Sequence, residues 1–307
     1  MSLAILDTPV RHRRRPLARG VARDITYAMS ARTRPGQALI RSVENVTGRL
    51  ALMRRAEGYE AEVAQGRDFW RVMMERFGLR LDVIRGSLGT IPTRGPLVVV
   101  SNHPFGILDG LVLGHILSAV RGGDFRIVAH NAFLGADDVR RAILPVDFSG
   151  SRAAQARNIA TRAEAIGYLQ AGGAVGIFPG GTVATGRTPL AEPRDPQWRA
   201  FTAKMIARSG ATVVPLWFEG ANSPLFQMAS HLHPTLRMAL LIREFAARTD
   251  GPVRLAVGDP IPPHKLASAG QGANQVMDFL RRSTYDLSPN PSDWARLGFE
   301  FEAQYRR

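Results

Sequence analysis

Cysteine is missing from the sequence altogether, so disulfides, thiolate zinc sites and a cysteine nucleophile are all excluded. Lysine is nearly missing: apart from Lys204 and Lys265, the 40 basic residues are all arginine. No apolar run reaches the ~18 residues that a membrane-spanning helix needs; the best, Leu111 to Val120, is interrupted by Gly114 and His115. The amino terminus does not read as a signal peptide, because Arg11–Arg15 follow the weakly apolar stretch Met1–Val10 instead of preceding it. Aromatic residues make up only 7% of the chain, with no zinc-finger spacing and no RRM-like aromatic motif, so nucleic acid is not expected as a partner. There is no Gly-x-Ser-x-Gly elbow, no Gly-x-x-x-x-Gly-Lys loop and no Gly-x-Gly-x-x-Gly turn, which removes serine hydrolases, P-loop enzymes and dinucleotide binders. His231 and His233 form a conceivable metal pair, but no third ligand stands at a telling spacing, and no metal is expected.

What is present is a chain long enough for a sizeable core, with 307 residues of which 45% are hydrophobic. It carries a formal charge of +14, and residues 1–60 hold twelve arginines against five acids, a net of +7. Such an excess draws polyanions, and with nucleic acid set aside an anionic membrane surface is the expected partner. From about Gln37 to Phe77 the pattern is helical, with Phe69, Val72, Met73 and Phe77 on one face. That stripe suits either the core or a membrane. After Gly78 the period changes to two, at Leu79, Leu81 and Val83. Apolar runs at 97–100, 125–129, 174–178, 212–218 and 253–257 then alternate with helical stretches at 109–120, 151–171, 197–209 and 234–247. The expected fold is α/β: a mostly parallel sheet flanked by helices. The chain divides into a basic, helical, membrane-proximal region (1–78), an α/β domain (79–262) and a helical carboxyl-terminal extension (263–307).

In such sheets ligands bind beyond the carboxyl ends of the strands. That directs attention to Asn102-His103, to His130 and to Pro179-Gly-Gly-Thr182. His103 follows an apolar strand, Pro104 and Gly106 make a turn, and Asp109 opens a helix. The turn brings Asp109 within reach of one imidazole nitrogen, where a carboxylate fixes the tautomer and supports the imidazolium. The same spacing also suits an ordinary helix cap. Gly180, Gly181 and Thr182 offer backbone N–H groups to an anion, or make a plain glycine turn.

The stretch Asn102-His-Pro-Phe-Gly-Ile-Leu-Asp-Gly110 resembles the first motif of the glycerolipid and lysophospholipid acyltransferase family, in a bacterial haemolysin-like branch that, like this chain, has five residues between His and Asp. Ile143-Leu-Pro-Val-Asp147 resembles the second motif, Phe178-Pro-Gly-Gly-Thr182 the third (Phe-Pro-Glu-Gly-Thr) and Val214-Pro-Leu216 the fourth, after which Gly220-Ala-Asn-Ser223 continues as in that branch. The resemblance spans about 79–262. It implies an O-acyltransferase with an acyl-CoA or acyl-ACP co-substrate, a lipid acceptor and no cofactor or metal. His103 is then the general base oriented by Asp109, and Gly180, Gly181 and Thr182 hold acceptor or oxyanion. The expected location is the cytoplasmic face of the inner membrane, bound peripherally. There are departures: the family's third-motif Glu falls on Gly180, the Arg that often follows Thr on Val183, and the Arg of the second motif on Phe148. Arg187 is the candidate replacement, with Arg140 and Arg141 behind it. Two other readings stay open, a non-catalytic lipid or acyl-carrier binding protein on the same scaffold and a basic nucleic-acid-binding protein.

Overall fold

The computed structural model describes residues 26–301 except 29, 30, 32, 131–136, 148–150, 271, 291 and 292. The run Arg11–Arg15, Phe148 and the side chain of His130 lie outside the described residues.

The helical pattern seen from Gln37 to Phe77 is present, but in pieces. Helix α1 (Arg34–Glu44) starts at Thr33, whose hydroxyl accepts the Gly36 N–H. A single π turn over Asn45–Arg49 kinks at Gly48 and leads into α2 (Leu50–Ala56). Helix α3 (Tyr59–Ala64) follows, and then α4 (Phe69–Arg76), whose cap is the Asp68 carboxylate accepting the Arg71 N–H. The ambiguous stripe is core: Phe69, Trp70, Val72, Met73, Met74 and Phe77 are all buried.

Strands β1 (Arg80–Arg85) and β2 (Leu97–Ser101) come next, then α5 (Ile107–Arg121) and β3 (Arg126–His130). After them run α6 (Asp137–Arg140), β4 (Ile143–Val146), α7 (Arg152–Gln170) and β5 (Ala174–Ile177). The remainder is α8 (Ala200–Ser209), β6 (Thr212–Phe218), α9 (Pro224–Leu232), α10 (Pro234–Ala246), β7 (Pro252–Val257), α11 (Pro263–Ser268) and α12 (Ala273–Tyr285). One seven-stranded sheet takes the order β1-β7-β6-β2-β5-β3-β4. Every pairing is parallel except β6 with β7.

Strand β2 is apolar from Leu97 to Val100 and buried throughout because it lies mid-sheet, covered on both faces. Val99 and Leu97 join one core, with α4, α5 and α10, while Val98 and Val100 join the other, with α7, α8 and α12. Strand β4 was legible only as a motif. Its Pro145 is tolerated because β4 is an edge strand, paired only with β3. Parallel β2, β5 and β6 all point their carboxyl ends the same way, so the segments after Ser101, Ile177 and Phe218 gather at one edge.

Candidate active site

At that edge the chain leaves β2 through Asn102, whose side-chain amide continues the strand pairing sideways. Its Nδ2 donates to the Phe218 carbonyl (2.9 Å) and its Oδ1 accepts the Phe218 N–H (2.7 Å). This locks the ends of β2 and β6 together one residue before His103. His103 itself is held at four points. Its N–H donates to Asp195 Oδ1 (3.1 Å), its carbonyl accepts the Ala184 N–H (2.7 Å), and its ring stacks on Phe178 at 4.1 Å. The fourth hold is Asp109, whose Oδ2 lies 2.8 Å from His103 Nδ1.

Asp109 faces the imidazole as its spacing allowed, but it is not the helix N-cap: that is Gly106, and Asp109 is the third residue of α5. The same Oδ2 accepts the backbone N–H groups of Phe105 (2.8 Å) and Gly106 (3.0 Å), bracing the start of the helix while it faces the imidazole. The turn needs Gly106, at φ 95°, where a Cβ would also crowd Leu241 at 3.3 Å and touch Val183 and the Tyr27 hydroxyl. The carboxylate has no solvent exposure, while His103 keeps 17% of its side chain open. With a carboxylate on Nδ1, that nitrogen carries the proton and Nε2 keeps its lone pair. The arrangement can take a proton at Nε2 and stabilise the resulting imidazolium.

The loop after β5 lies against this pair. The Gly181 N–H is tied into the turn through the Phe178 carbonyl (2.9 Å). Gly180 is nearly closed by another residue: a Cβ there would meet the Asp195 side chain at 3.2 Å. Asp195 therefore brings a carboxylate beside the position where the resembling family has Glu. It is fully buried, accepts from Trp198 Nε1 (2.9 Å) as well as from His103 N–H, and burial holds its pKa above the usual carboxylate range. Arg281 and Tyr285 of α12 fix its backbone: Arg281 donates to the carbonyls of Asp195 (3.0 Å) and Pro196 (2.9 Å), and the Asp195 N–H donates to the Tyr285 hydroxyl (3.1 Å).

Thr182 is partly exposed, and the arginine that reaches it is Arg237 of α10, whose guanidinium donates to Thr182 Oγ1 (3.1 Å) and to the Val183 carbonyl (2.7 Å). Arg187 stands further along the loop, exposed, lining a hollow of about 300 Å³ with Glu192, Arg194 and Arg296. Arg140 and Arg141 precede β4 and so lie toward the amino edge of the parallel strands, opposite His103. His231 Nε2 lies 3.0 Å from the Gly186 carbonyl, and His233 Nδ1 accepts the Thr235 N–H as the cap of α10. Tyr27, Asp195 and Arg237 were not legible as site residues. The one signal in the sequence was the placing of Arg237 in the first turn of a helix, where the macrodipole disfavours a cation.

Comparison with known proteins bears on the family. A model of the acyltransferase family matches residues 62–293. A lyso-glycine lipid O-acyltransferase of Phocaeicola vulgatus is 28% identical over 239 residues, covering 76% of this chain and 75% of that one. One of the same name from Bacteroides thetaiotaomicron is 25% identical over 243 residues, 77% of this chain and 79% of its own. Among solved structures, the 1-acyl-sn-glycerophosphate acyltransferase PlsC of Thermotoga maritima aligns over 87% of each chain at 16% identity, with a TM-score of 0.45.

Proposed function

The chain belongs to the acyltransferase family and is a lipid O-acyltransferase; from that premise we propose that it moves a fatty acyl group from acyl-CoA or acyl-ACP to the free hydroxyl of a lyso-lipid, with His103 as general base. The observation that carries the mechanism is the 2.8 Å contact between His103 Nδ1 and the buried Asp109 carboxylate at the carboxyl edge of the sheet. The acceptor O–H gives its proton to Nε2 while its oxygen bonds to the thioester carbonyl carbon, and the carbonyl electrons move onto oxygen. The tetrahedral intermediate collapses, the C–S bond breaks, and the leaving thiolate takes the proton back from Nε2. Asp109 stays ionised and stabilises the imidazolium between the two transfers. A general base so placed contributes ~10²–10⁴-fold. The thioester is already activated, so the reading calls for no metal or cofactor.

An acceptor with an amino-acid head suits this chain better than one ending in a phosphate. Gly180 and Val183 stand where the resembling family has charged side chains, and both curated relatives are named for lyso-glycine lipid. A glycine head whose carboxylate is free carries one charge, against nearly two on a phosphomonoester. The site of reaction is the anionic cytoplasmic surface of the inner membrane, to which the enzyme binds peripherally. Among the described residues no helix is long and apolar enough to cross a membrane. Support for surface binding comes from the basic residues 1–60 and from the exposed apolar side chains of α9, Leu225, Met228 and Leu232.

The test is transfer of a labelled acyl group from acyl-CoA and from acyl-ACP to lyso-glycine lipid and to lysophosphatidic acid. The expected result is diacylated product from the glycine acceptor. Product from lysophosphatidic acid alone overturns the head-group assignment, and no product from any pairing overturns the reading as a whole.

A further inference from the structure

Arg237 is a charge out of place. It sits in the first turn of α10, where the helix dipole opposes a cation. It is 4% exposed, and no carboxylate among the described residues pairs with it. Its partners are neutral: Thr185 Oγ1 (2.6 Å), Ser230 Oγ (2.9 Å), Thr182 Oγ1 (3.1 Å) and the Val183 carbonyl (2.7 Å), with the rings of Phe226 and Phe301 at 5.0 and 4.1 Å. Burial draws the Arg237 guanidinium's pKa down to about 9. A buried cation without a counter-charge is costly unless an anion arrives. Local rules broken together in this way are expected where a ligand makes up the difference.

Four guanidinium N–H bonds are already committed, so the charge is transmitted and not offered directly. Thr182 Oγ1 accepts from Arg237, which turns the hydroxyl proton away from the guanidinium, and Thr182 is the partly exposed member of the set. Its loop is bonded to His103 through Ala184. We propose that Thr182 and Arg237 together form the recognition site for the acceptor's anionic head: Thr182 O–H donates to a carboxylate, and the buried Arg237 charge behind it supplies the attraction. Arg237 is thus a positioning residue acting through Thr182. A single hydroxyl backed by a single charge matches a carboxylate; a phosphomonoester, with three acceptor oxygens and nearly two charges, calls for more donors.

This inference rests on the lyso-lipid reading and deepens it. The experiment compares kcat/KM for two acceptors, an N-acylglycine with one free hydroxyl on its acyl chain and the same molecule as the primary carboxamide. The wild-type protein prefers the acid by at least about tenfold, the scale of one charge-assisted hydrogen bond. In Arg237→Gln that ratio falls toward one, mainly through the KM of the acid, and Arg237→Lys, which keeps a charge, retains a ratio above that of the Gln variant. If Arg237→Gln does not fold, Thr182→Val carries the same test with the guanidinium left in place. A wild-type ratio near one, an unchanged ratio in Arg237→Gln or Thr182→Val, or a Lys variant no better than Gln overturns the proposal while leaving acyl transfer to lyso-lipids standing. A wild-type protein that acylates neither molecule overturns the amino-acid head-group assignment on which the proposal rests.

Discussion

The two oxygens of Asp109 are used unequally: Oδ2 faces His103 Nδ1 and two backbone N–H groups, while Oδ1 is buried with no partner among the described residues. The acceptor for the turn's N–H groups and the histidine partner are therefore one atom, and substitutions separate the two roles. Asp109→Asn keeps an oxygen for the Phe105 and Gly106 N–H groups but loses the charge that steadies the imidazolium. It should melt close to wild type while kcat falls by ~10²-fold or more. Asp109→Ala should also lose about 0.5–2 kcal/mol of stability with those capping bonds, measured by urea unfolding. Asp195 gives a pH signature. Its folded pKa is raised by burial, so the unfolded chain releases this proton first, and its contribution to stability declines as pH rises from the unfolded carboxylate value through the folded one. Asp195→Asn lacks that decline, so its stability relative to wild type should be greater at pH 7 than at pH 4. A difference that stays flat or shrinks would show Asp195 to be ionised at no cost. His103 and Asp109, six residues apart in one turn, were offered by spacing only as one of two readings, and the resemblance of the surrounding motif chose between them. Asp195 lies 92 residues from His103, and no local pattern foretells such a meeting.

Helix α4 shows why periodicity alone left its destination open: an apolar stripe is the same requirement for a core and for a bilayer. Tertiary packing decides, and Trp70, Val72 and Met73 go inside. The exposed apolar side chains lie elsewhere. On α9, Leu225, Met228 and Leu232 share a face at i, i+3 and i+7, with Leu232 76% exposed. Nearby α1 and α2, with the π turn between them, carry Leu39, Val46 and Leu50 in the open, and α10 packs between α9 and α1. The sequence placed no helix at 224–232, because a nine-residue helix started by Ser223 and Pro224 offers too short a pattern to separate from a loop. The double variant Met228→Glu, Leu232→Glu should bind anionic vesicles at least about tenfold more weakly in a flotation assay, with an unchanged melting temperature. Removing residues 1–25 should weaken the same binding in a salt-dependent way. Two variants that float as wild type does, at low and high salt alike, would move the docking face elsewhere.

At the scale of the whole molecule, alternating apolar strands and helical stretches made the α/β class readable, since buried parallel strands are apolar runs. The placement of β7 between β1 and β6, parallel to the first and antiparallel to the second, was not readable, because strand order depends on how connections cross the sheet. Nor was the reach of the carboxyl-terminal helix. Arg281 of α12 donates to the carbonyls of Asp195, Pro196, Trp294 and Arg296, so the residues after β7 tie down the loop that holds His103. The site is thus assembled from segments spread over more than 250 residues, from Tyr27 to Tyr285, around one short turn that bears the chemistry. The most direct test follows one labelled acyl group. Purified wild-type protein and His103→Ala, matched for folding by circular dichroism, are given a radiolabelled acyl thioester and a lyso-lipid, and labelled product is counted over time. The account predicts steady product from wild type and at least about a hundredfold less from His103→Ala. Turnover by His103→Ala within a few-fold of wild type would contradict it.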